Sequence, residues 1–363
     1  MQKSEMPLSI PFFTIGITTY NRKEMLKECL GSILCQTFAD FEIIVGNDFI
    51  EEPLSCEDLF LFDPRIRVIN NQRNLGELEN LNNLLKVSRG KYFTWQADDD
   101  YYAPNFLQEV YKAIMTNGNA STCVLTSYKV VRGKRIPLQT LENEIKVKKV
   151  MVSNGQQLLQ DYWAGRIKVM GLVGVYAKPY LMSIGGLRRL TNMPIAIFSE
   201  YLLIMQISLL KEVIFIDAPL IYYRAHEESW SASNKNREAY EIAGINFLKM
   251  SIEIFKSTLA GENYFRKNLT GAMKLILREV ALIGARRGNI FILLFNIEYL
   301  GALKSLIWTL KGTELYYRGV QSFFYVSLWF LLYFPKILLI TIMPNSIKII
   351  AKKMRSYVRG EIA

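Results

Sequence analysis

An α/β fold, a sheet flanked by helices and followed by a helical, membrane-associating C-terminal region, is the architecture the sequence predicts. Three observations carry it. Short apolar runs alternate with segments of helical periodicity through the first third of the chain. Three of those runs end in polar side chains suited to holding a ligand. Beyond about residue 235 the pattern is helical, and the last sixty or so residues are both very apolar and basic.

Phe12 to Ile17 reads as a first buried strand, ending in Thr18 to Arg22. Asn21 is expected to cap the next helix, where Met25, Leu26, Cys29, Leu30, Ile33 and Leu34 recur at helical spacing. Phe41 to Val45 is a second strand that stops at Gly46-Asn47-Asp48. Ile66 to Ile69 is a third that stops at Asn70-Asn71. Leu75 to Leu85 reads as a helix, and Gly90 breaks the chain before a fourth strand, Tyr92 to Trp95. That strand stops at Ala97-Asp98-Asp99-Asp100, and Pro104 opens a helix with Phe106, Leu107, Val110, Tyr111 and Ile114 facing inward. In open parallel sheets ligands bind beyond the carboxyl ends of the strands. Thr18 and Tyr20, Asp48, and Asp98 to Asp100 therefore mark a site.

From about residue 120 the pattern is mixed. Val124 to Tyr128 reads as a strand, Val130 to Ile136 as a hairpin arm around Gly133, and Met170 to Tyr176 as another strand. Phe198 to Leu210 is expected to be a helix, and Val213 to Ile216 and Leu220 to Tyr223 two short strands around Asp217-Ala218-Pro219. Further on, Ile245, Leu248, Ile252, Phe255 and Leu259 form one helical stripe.

Composition narrows the chemistry. His226 is the single histidine, which excludes HExxH sites and all-histidine metal sites. The four cysteines form no CxxC pair, and no secretory leader is evident, so they are expected to be reduced thiols. Of the net charge of +11, residues 301–363 supply nine basic residues against two acids. Beside so apolar a sequence this is a membrane-surface pattern, and nucleic acid is not expected as a partner. Chemistry must lean on carboxylates. Asp98-Asp99-Asp100 is the sharpest candidate, because adjacent carboxylates repel unless solvated or neutralised by a cation. A hard divalent ion takes one or two such groups plus substrate phosphates. The plainer alternative, an acidic turn that favours the next helix's N-terminus, fits the strand-end position less well.

Thr18 to Arg22, Gln36-Thr37-Phe38 ahead of Phe41 to Val45, Asp48, Arg73-Asn74-Leu75-Gly76, and Asp98 to Pro104 together resemble the family 2 glycosyltransferases of GT-A fold, over roughly residues 10–230. The resemblance implies inverting transfer of a sugar from a nucleotide-diphosphate donor, most often a UDP-sugar, to an acceptor hydroxyl. It implies that Thr18, Tyr20 and Arg22 line the nucleotide pocket, that Asp48 bonds the base, and that Asp98 faces ribose or sugar. Arg73 and Asn80 would contact base or pyrophosphate. Asp99, with Asp100 as a second candidate, would hold Mn²⁺ or Mg²⁺, the Lewis acid that offsets the leaving group's charge. Glu200 matches the general base, with Asp161 and Asp217 as weaker alternatives. His226 would close over the diphosphate or reach the metal, and Arg224 would clamp phosphate.

Three departures accompany the match. Asn47-Asp48 offers one acid where the family usually has two, Ala97 replaces the first acid of the DxD-type motif, and Ser199 replaces an acidic neighbour of Glu200. No Gln-x-x-Arg-Trp occurs. In the family that motif marks processive synthases, so transfer of a single sugar is expected.

The expected organisation is a catalytic region over 1–232, with a nucleotide half at about 10–118 and an acceptor half at about 119–232, then a helical region over 233–363. Gly319 to Pro335 is uncharged and aromatic, bounded by Arg318 and Lys336, and Pro335-Lys336 interrupts it. Such a segment suits helices lying in the membrane interface, within a membrane-associating stretch of about 315–359. The expected setting is the cytoplasmic face of the cell membrane, with a glycan or lipid-linked acceptor. Two other functions share these features. One is a non-catalytic nucleotide-sugar scaffold; the other is a nucleotidyltransferase, which would want a glycine-rich phosphate loop after the first strand.

Overall fold

The first apolar run becomes β1, Phe13–Thr19, a central strand buried almost throughout. In this computed structural model β1 pairs in parallel with β2 (Phe41–Asn47) and with β4 (Tyr92–Ala97), and β2 pairs with β3 (Ile66–Asn70). The structure describes residues 10–59, 62–117, 122–133, 144–226, 237–257, 261–285, 301, 304–305, 307–308, 311 and 315–342. The chain divides into two compact units, Met1–Asn234 and Lys235–Ala363.

One face of the parallel strands is covered by α1 (Lys23–Leu34) and α3 (Phe106–Thr116). Phe13, Ile15, Ile17, Ile43 and Val45 share a core with Leu26, Leu30, Phe106 and Val110. On the other face lies α2 (Glu77–Val87), and Gly16 makes room for it: a Cβ there would stand 2.7 Å from the Phe93 ring and 3.3 Å from Leu84. Asn21 does not cap α1. It takes a left-handed φ of 52°, a conformation Asn tolerates better than most residues, and Arg22 occupies the cap position instead.

At the opposite end of these strands Glu42 is buried on β2. It accepts from the Thr14 hydroxyl (2.8 Å), the Arg89 backbone N–H (2.7 Å) and the Arg89 guanidinium (2.8 Å). Burial alone would push its carboxyl up, but those hydrogen bonds hold it below the usual value. A depressed folded-state value means that the stabilisation is present above the unfolded value, about 4.3, and is lost as pH falls through the folded one. Glu42→Gln should therefore be clearly less stable than the parent at pH 7 and converge with it as pH falls through the lowered folded-state value. Urea unfolding across that pH range measures this.

The second half of the unit makes the sheet mixed. Its further strands are β5 (Tyr101–Tyr102), β6 (Cys123–Arg132), β7 (Val150–Ser153), β8 (Val175–Ala177) and β9 (Val213–Ala225). The order across the sheet is β3-β2-β1-β4-β8-β6-β9-β5, with β7 also on β9. Its helices are α4 (Gly155–Trp163), α5 (Lys178–Ser183) and α6 (Ser199–Ile207).

Several expectations change here. Val130 is no hairpin arm: β6 runs on to Arg132 beside β9, and residues 134–143 lie outside the described residues. Met170 to Gly174 turn, with the Gly174 N–H on the Gly171 carbonyl (3.3 Å), so only Val175 onward is strand. The two short strands expected at 213–223 are one strand. Pro219, which has no N–H to give, sits opposite Ser127, where the register shifts. All four cysteines are free.

In the second unit α7 (Arg237–Lys256) buries Phe247, Leu248, Ile252 and Phe255, while Leu259 of the expected stripe lies outside the described residues. α8 (Gly261–Ala285) packs against α7 and against α9 (Leu315–Ile342). Along the α8–α9 seam Val326 and Phe330 are buried, and Ser322 donates to the Arg266 carbonyl (3.2 Å). The helix pair expected on either side of Pro335 is a single helix. An interior proline removes one hydrogen bond without obliging the helix to end. Among the described residues no helix is long and apolar enough to cross a membrane. Residues 343–363 lie outside them.

Candidate active site

Parallel register brings the candidate residues to one edge. Thr19 of β1 faces Asn47 of β2, and Thr18 faces Ala97 of β4, so Tyr20 to Arg22, Asp48 and Asp98 all emerge at the carboxyl ends. Asp98 accepts the Thr19 hydroxyl at 2.7 Å and Arg22 Nη1 at 3.2 Å. The same Nη1 lies 3.2 Å from Asp99 Oδ2, and His226 Nε2 lies 3.0 Å from that oxygen. Thr19, Arg22, Asp98, Asp99 and His226 thus form one connected group.

Burial shapes its electrostatics. The Asp98 carboxyl is pushed up to about 6 by burial and by the adjacent Asp99 charge, against the pull of Arg22 and the Thr19 hydroxyl. Asp100 is raised well above the ordinary carboxylate range, again chiefly by burial and then by Asp99. Cys29, buried behind this loop with its thiol on the Ala97 carbonyl (3.4 Å), is likewise driven up by burial and by the three aspartates. A cation entering here relieves repulsion that Arg22 only partly offsets.

The remaining residues divide. Asp48 is buried and accepts Asn71 Nδ2 (2.8 Å) and the Leu75 N–H (3.2 Å), which ties the 71–75 segment to the strand ends. Thr18 is half-buried at the end of β1, and Tyr20 is exposed, edge-on to Phe49 at 5.3 Å. Three residues expected to contact the ligand have protein partners in this structure. Asn80 is buried behind the sheet and donates to the Gly46 carbonyl at 2.9 Å, so its amide is committed to β2. Arg73 is exposed and paired with Glu79 at 2.8 Å. The Arg224 side chain is fully buried and paired with Glu28 at 2.6 Å, which leaves no phosphate-facing clamp. Asp100 is also buried, its Oδ1 taking the Arg224 N–H at 2.8 Å, so Asp99 is the carboxylate of this loop that meets Arg22 and His226.

Glu200 stands in the first turn of α6, two residues after Phe198, whose φ of 59° is unusual for a bulky side chain. The approach to α6 is pinned to α2. The Ala196 N–H donates to Glu77 (3.0 Å), the Leu78 N–H to the Pro194 carbonyl (3.3 Å), and at Gly76 (φ 78°) a Cβ would come within 2.3 Å of Pro194. The chain that anchors on Asp48 therefore also seats the segment leading to Glu200. Asp161 is bonded to Arg166 Nε at 2.7 Å. Asp217 lies at the register shift of β9, with its N–H on the Lys149 carbonyl (2.8 Å).

Sequence reasoning missed Thr19, Glu28 and Glu77. Thr19 was recoverable from the alternation Ile15, Ile17, Thr19 on one face of β1. Glu28 and Glu77 gave no local signal, since their partners are distant in the chain.

Among the described residues no three His, Cys, Asp or Glu side chains are placed to enclose a metal ion. What the site does offer is one carboxylate, Asp99, beside one imidazole. The buried Nδ1 of that imidazole has no hydrogen-bond partner among the described residues. This donor set fits a hard cation that takes its other ligands from phosphate oxygens and water.

Residues 14–170 match the family model described as glycosyl transferase family 2. An uncharacterised glycosyltransferase of Rickettsia felis is 28% identical over 243 residues, 65% of this chain and 38% of that protein. One from Haemophilus influenzae is 34% identical over 102 residues, 28% of this chain and 32% of that protein. The uncharacterised glycosyltransferase EpsJ of Bacillus subtilis is 36% identical over 103 residues, 28% of this chain and 30% of that protein. The chain thus spans less than two fifths of each of these relatives. The crystal structure of S. aureus TarS 1–349 superposes with a TM-score of 0.59 at 16% identity, over 81% of this chain and 80% of that one, a likeness of fold. Residues 14–170 thus match glycosyl transferase family 2, and the mixed sheet around them has the GT-A fold.

Proposed function

We propose that the protein is an inverting glycosyltransferase that moves a single sugar from a nucleotide-diphosphate sugar, a UDP-sugar above all, to an acceptor hydroxyl. The observation that supports this most is the group Thr19, Arg22, Asp98, Asp99 and His226 at the carboxyl ends of a family 2 sheet. Thr18, Tyr20 and Asp48 hold the nucleoside, and Arg22 turns from Asp98 and Asp99 to the diphosphate. Glu200 takes the acceptor's proton as its oxygen attacks the anomeric carbon. The bond from that carbon to the phosphate oxygen breaks, and its electron pair leaves on the nucleoside diphosphate. Mn²⁺ or Mg²⁺, when held by Asp99 and His226 with the donor's phosphates, would stabilise that charge.

Incubation with a panel of nucleotide sugars, Mn²⁺ and lipid-linked acceptors tests this. The expected product carries one added sugar, with the anomeric configuration opposite to the donor's. Retained configuration contradicts the mechanism, and donor binding without any release of nucleoside diphosphate points to a scaffold.

The acceptor class and the setting follow from the second unit. We propose attachment at the cytoplasmic face of the cell membrane, with a lipid-linked or surface-glycan precursor as acceptor. The support is an exposed stripe on α9 in which Phe324, Leu328 and Leu332 are 68%, 59% and 68% exposed, with Tyr317 and Tyr325 beside it. Lys274 lies 4.5 Å over the Tyr325 ring, and Lys311 4.5 Å over Trp308. An anionic lipid surface suits both the apolar stripe and its cations. Each inserted side chain contributes roughly 1.5–3 kcal/mol. Phe324→Glu combined with Leu328→Glu should therefore weaken binding to phosphatidylglycerol vesicles on the order of 10²-fold, with nucleotide binding unchanged. Co-sedimentation reads the effect; parent-like binding by the variant would remove α9 from the membrane contact.

A further inference from the structure

The Arg224 side chain is fully buried near the end of β9, and the residue joins two distant stretches of chain, the Asp99–Tyr101 loop and α1. Its backbone N–H donates to Asp100 Oδ1 (2.8 Å), its Nε donates to the Asp99 carbonyl, and its Nη1 donates to Glu28 Oε2 (2.6 Å) on α1. The same Glu28 oxygen accepts the Tyr101 hydroxyl at 2.8 Å, and the guanidinium lies 4.8 Å from the centre of the Tyr101 ring. A buried cation is tolerated only when paired and hydrogen-bonded, and a planar guanidinium so held has little freedom to shift. Two consequences converge on one oxygen. The guanidinium fixes the backbone of Asp99, and it fixes β9 two residues before His226, whose Nε2 meets Asp99 Oδ2 at 3.0 Å.

We propose that Glu28 and Arg224 are positioning residues: a buried clamp that sets Asp99 and His226 at the separation needed to share a divalent cation with the donor's diphosphate. Neither touches the donor. The proposal rests on the glycosyltransferase reading above and adds to it the residues that make the two-donor site work. Outer-shell partners of this kind typically govern metal affinity by 10–100-fold. Glu28→Gln keeps the shape and an acceptor for Tyr101 but removes the counter-charge of Arg224. Arg224→Lys keeps a cation but cannot serve Glu28 and the Asp99 carbonyl together.

The experiment titrates full-length protein with Mn²⁺ in the presence of UDP, reading free Mn²⁺ by its paramagnetic resonance signal, with folding checked by circular dichroism. Both variants, folded, should bind Mn²⁺–UDP at least about 10-fold more weakly than the parent. Tyr101→Phe, which loses one hydrogen bond but keeps the ring, should shift in the same direction by less. A merely structural role would lower the unfolding midpoint and leave the Mn²⁺ affinity of the folded protein at the parent's value, and that result overturns the clamp. If Glu28→Gln does not fold, Tyr101→Phe decides by the same criterion. A parent that takes up no Mn²⁺ with UDP overturns the metal-dependent UDP-sugar reading and the clamp with it, whereas a parent that binds beside variants that bind equally well overturns the clamp alone.

Discussion

Glu200→Gln is expected to slow sugar transfer by roughly 10²–10⁴-fold while leaving donor affinity within a few-fold of the parent's. Glutamine matches the shape of glutamate and keeps its place in the first turn of α6, but it cannot accept the acceptor's proton. Loss of charge at a helix N-terminus costs only about 0.3–1 kcal/mol, so a capping role predicts near-normal turnover. The surrounding geometry argues for placement with a purpose. Phe198 holds a left-handed φ one residue before the helix, stacked on Tyr201 at 5.9 Å, and a Cβ on Gly171 would come within 2.3 Å of the Glu200 carbonyl oxygen. Backbone strain of this sort costs of order 1–3 kcal/mol and persists where the surroundings impose it. Steady-state rates with the best donor, together with donor titrations, separate the two outcomes. Near-normal turnover would move the base to another carboxylate.

Asp99→Asn is expected to abolish Mn²⁺-dependent binding of nucleoside diphosphate and leave the fold intact. Asp99 Oδ2 is the one oxygen that both Arg22 and His226 meet, at 3.2 and 3.0 Å. Asp98 and Asp100 cannot replace it, because Asp98 is engaged by Thr19 and Arg22 and Asp100 by the Arg224 N–H, and burial raises both carboxyls. Removing the Asp99 charge also removes repulsion from its neighbours, so the variant's unfolding midpoint should not fall. Calorimetric titration with UDP, with and without Mn²⁺, measures this. Parent-like Mn²⁺-dependent affinity would place the cation elsewhere.

The parallel half of the sheet was legible because each strand there is an apolar run closed by a polar stop, and a shared register carries those stops to one edge. Thr18, Asp48 and Asp98 to Asp100 were therefore placed from the sequence alone. What remained hidden depends on partners far along the chain. Arg224 looked like a phosphate ligand because an arginine near a strand end gives no hint of a glutamate 196 residues earlier. Asn80 looked like a pocket residue because helical periodicity does not say that its amide serves the Gly46 carbonyl. β5 has two residues and exists only by pairing with β9, so no local pattern could show it. Pro219 read as a break between strands because a proline usually ends pairing, yet at a register shift it does not.

The strand-end site is proposed to take a nucleoside diphosphate together with a divalent cation. The most direct test is the thermal unfolding midpoint of the full-length protein, measured against UDP, GDP, CDP and TDP and their sugars, with and without Mn²⁺. At about a hundred times its dissociation constant a ligand adds roughly 2.7 kcal/mol, about 5–10 °C for a domain of this size. Such a rise is expected for one nucleotide class, greater with Mn²⁺ than without it. Midpoints unmoved by every nucleotide, with or without the metal, would contradict it.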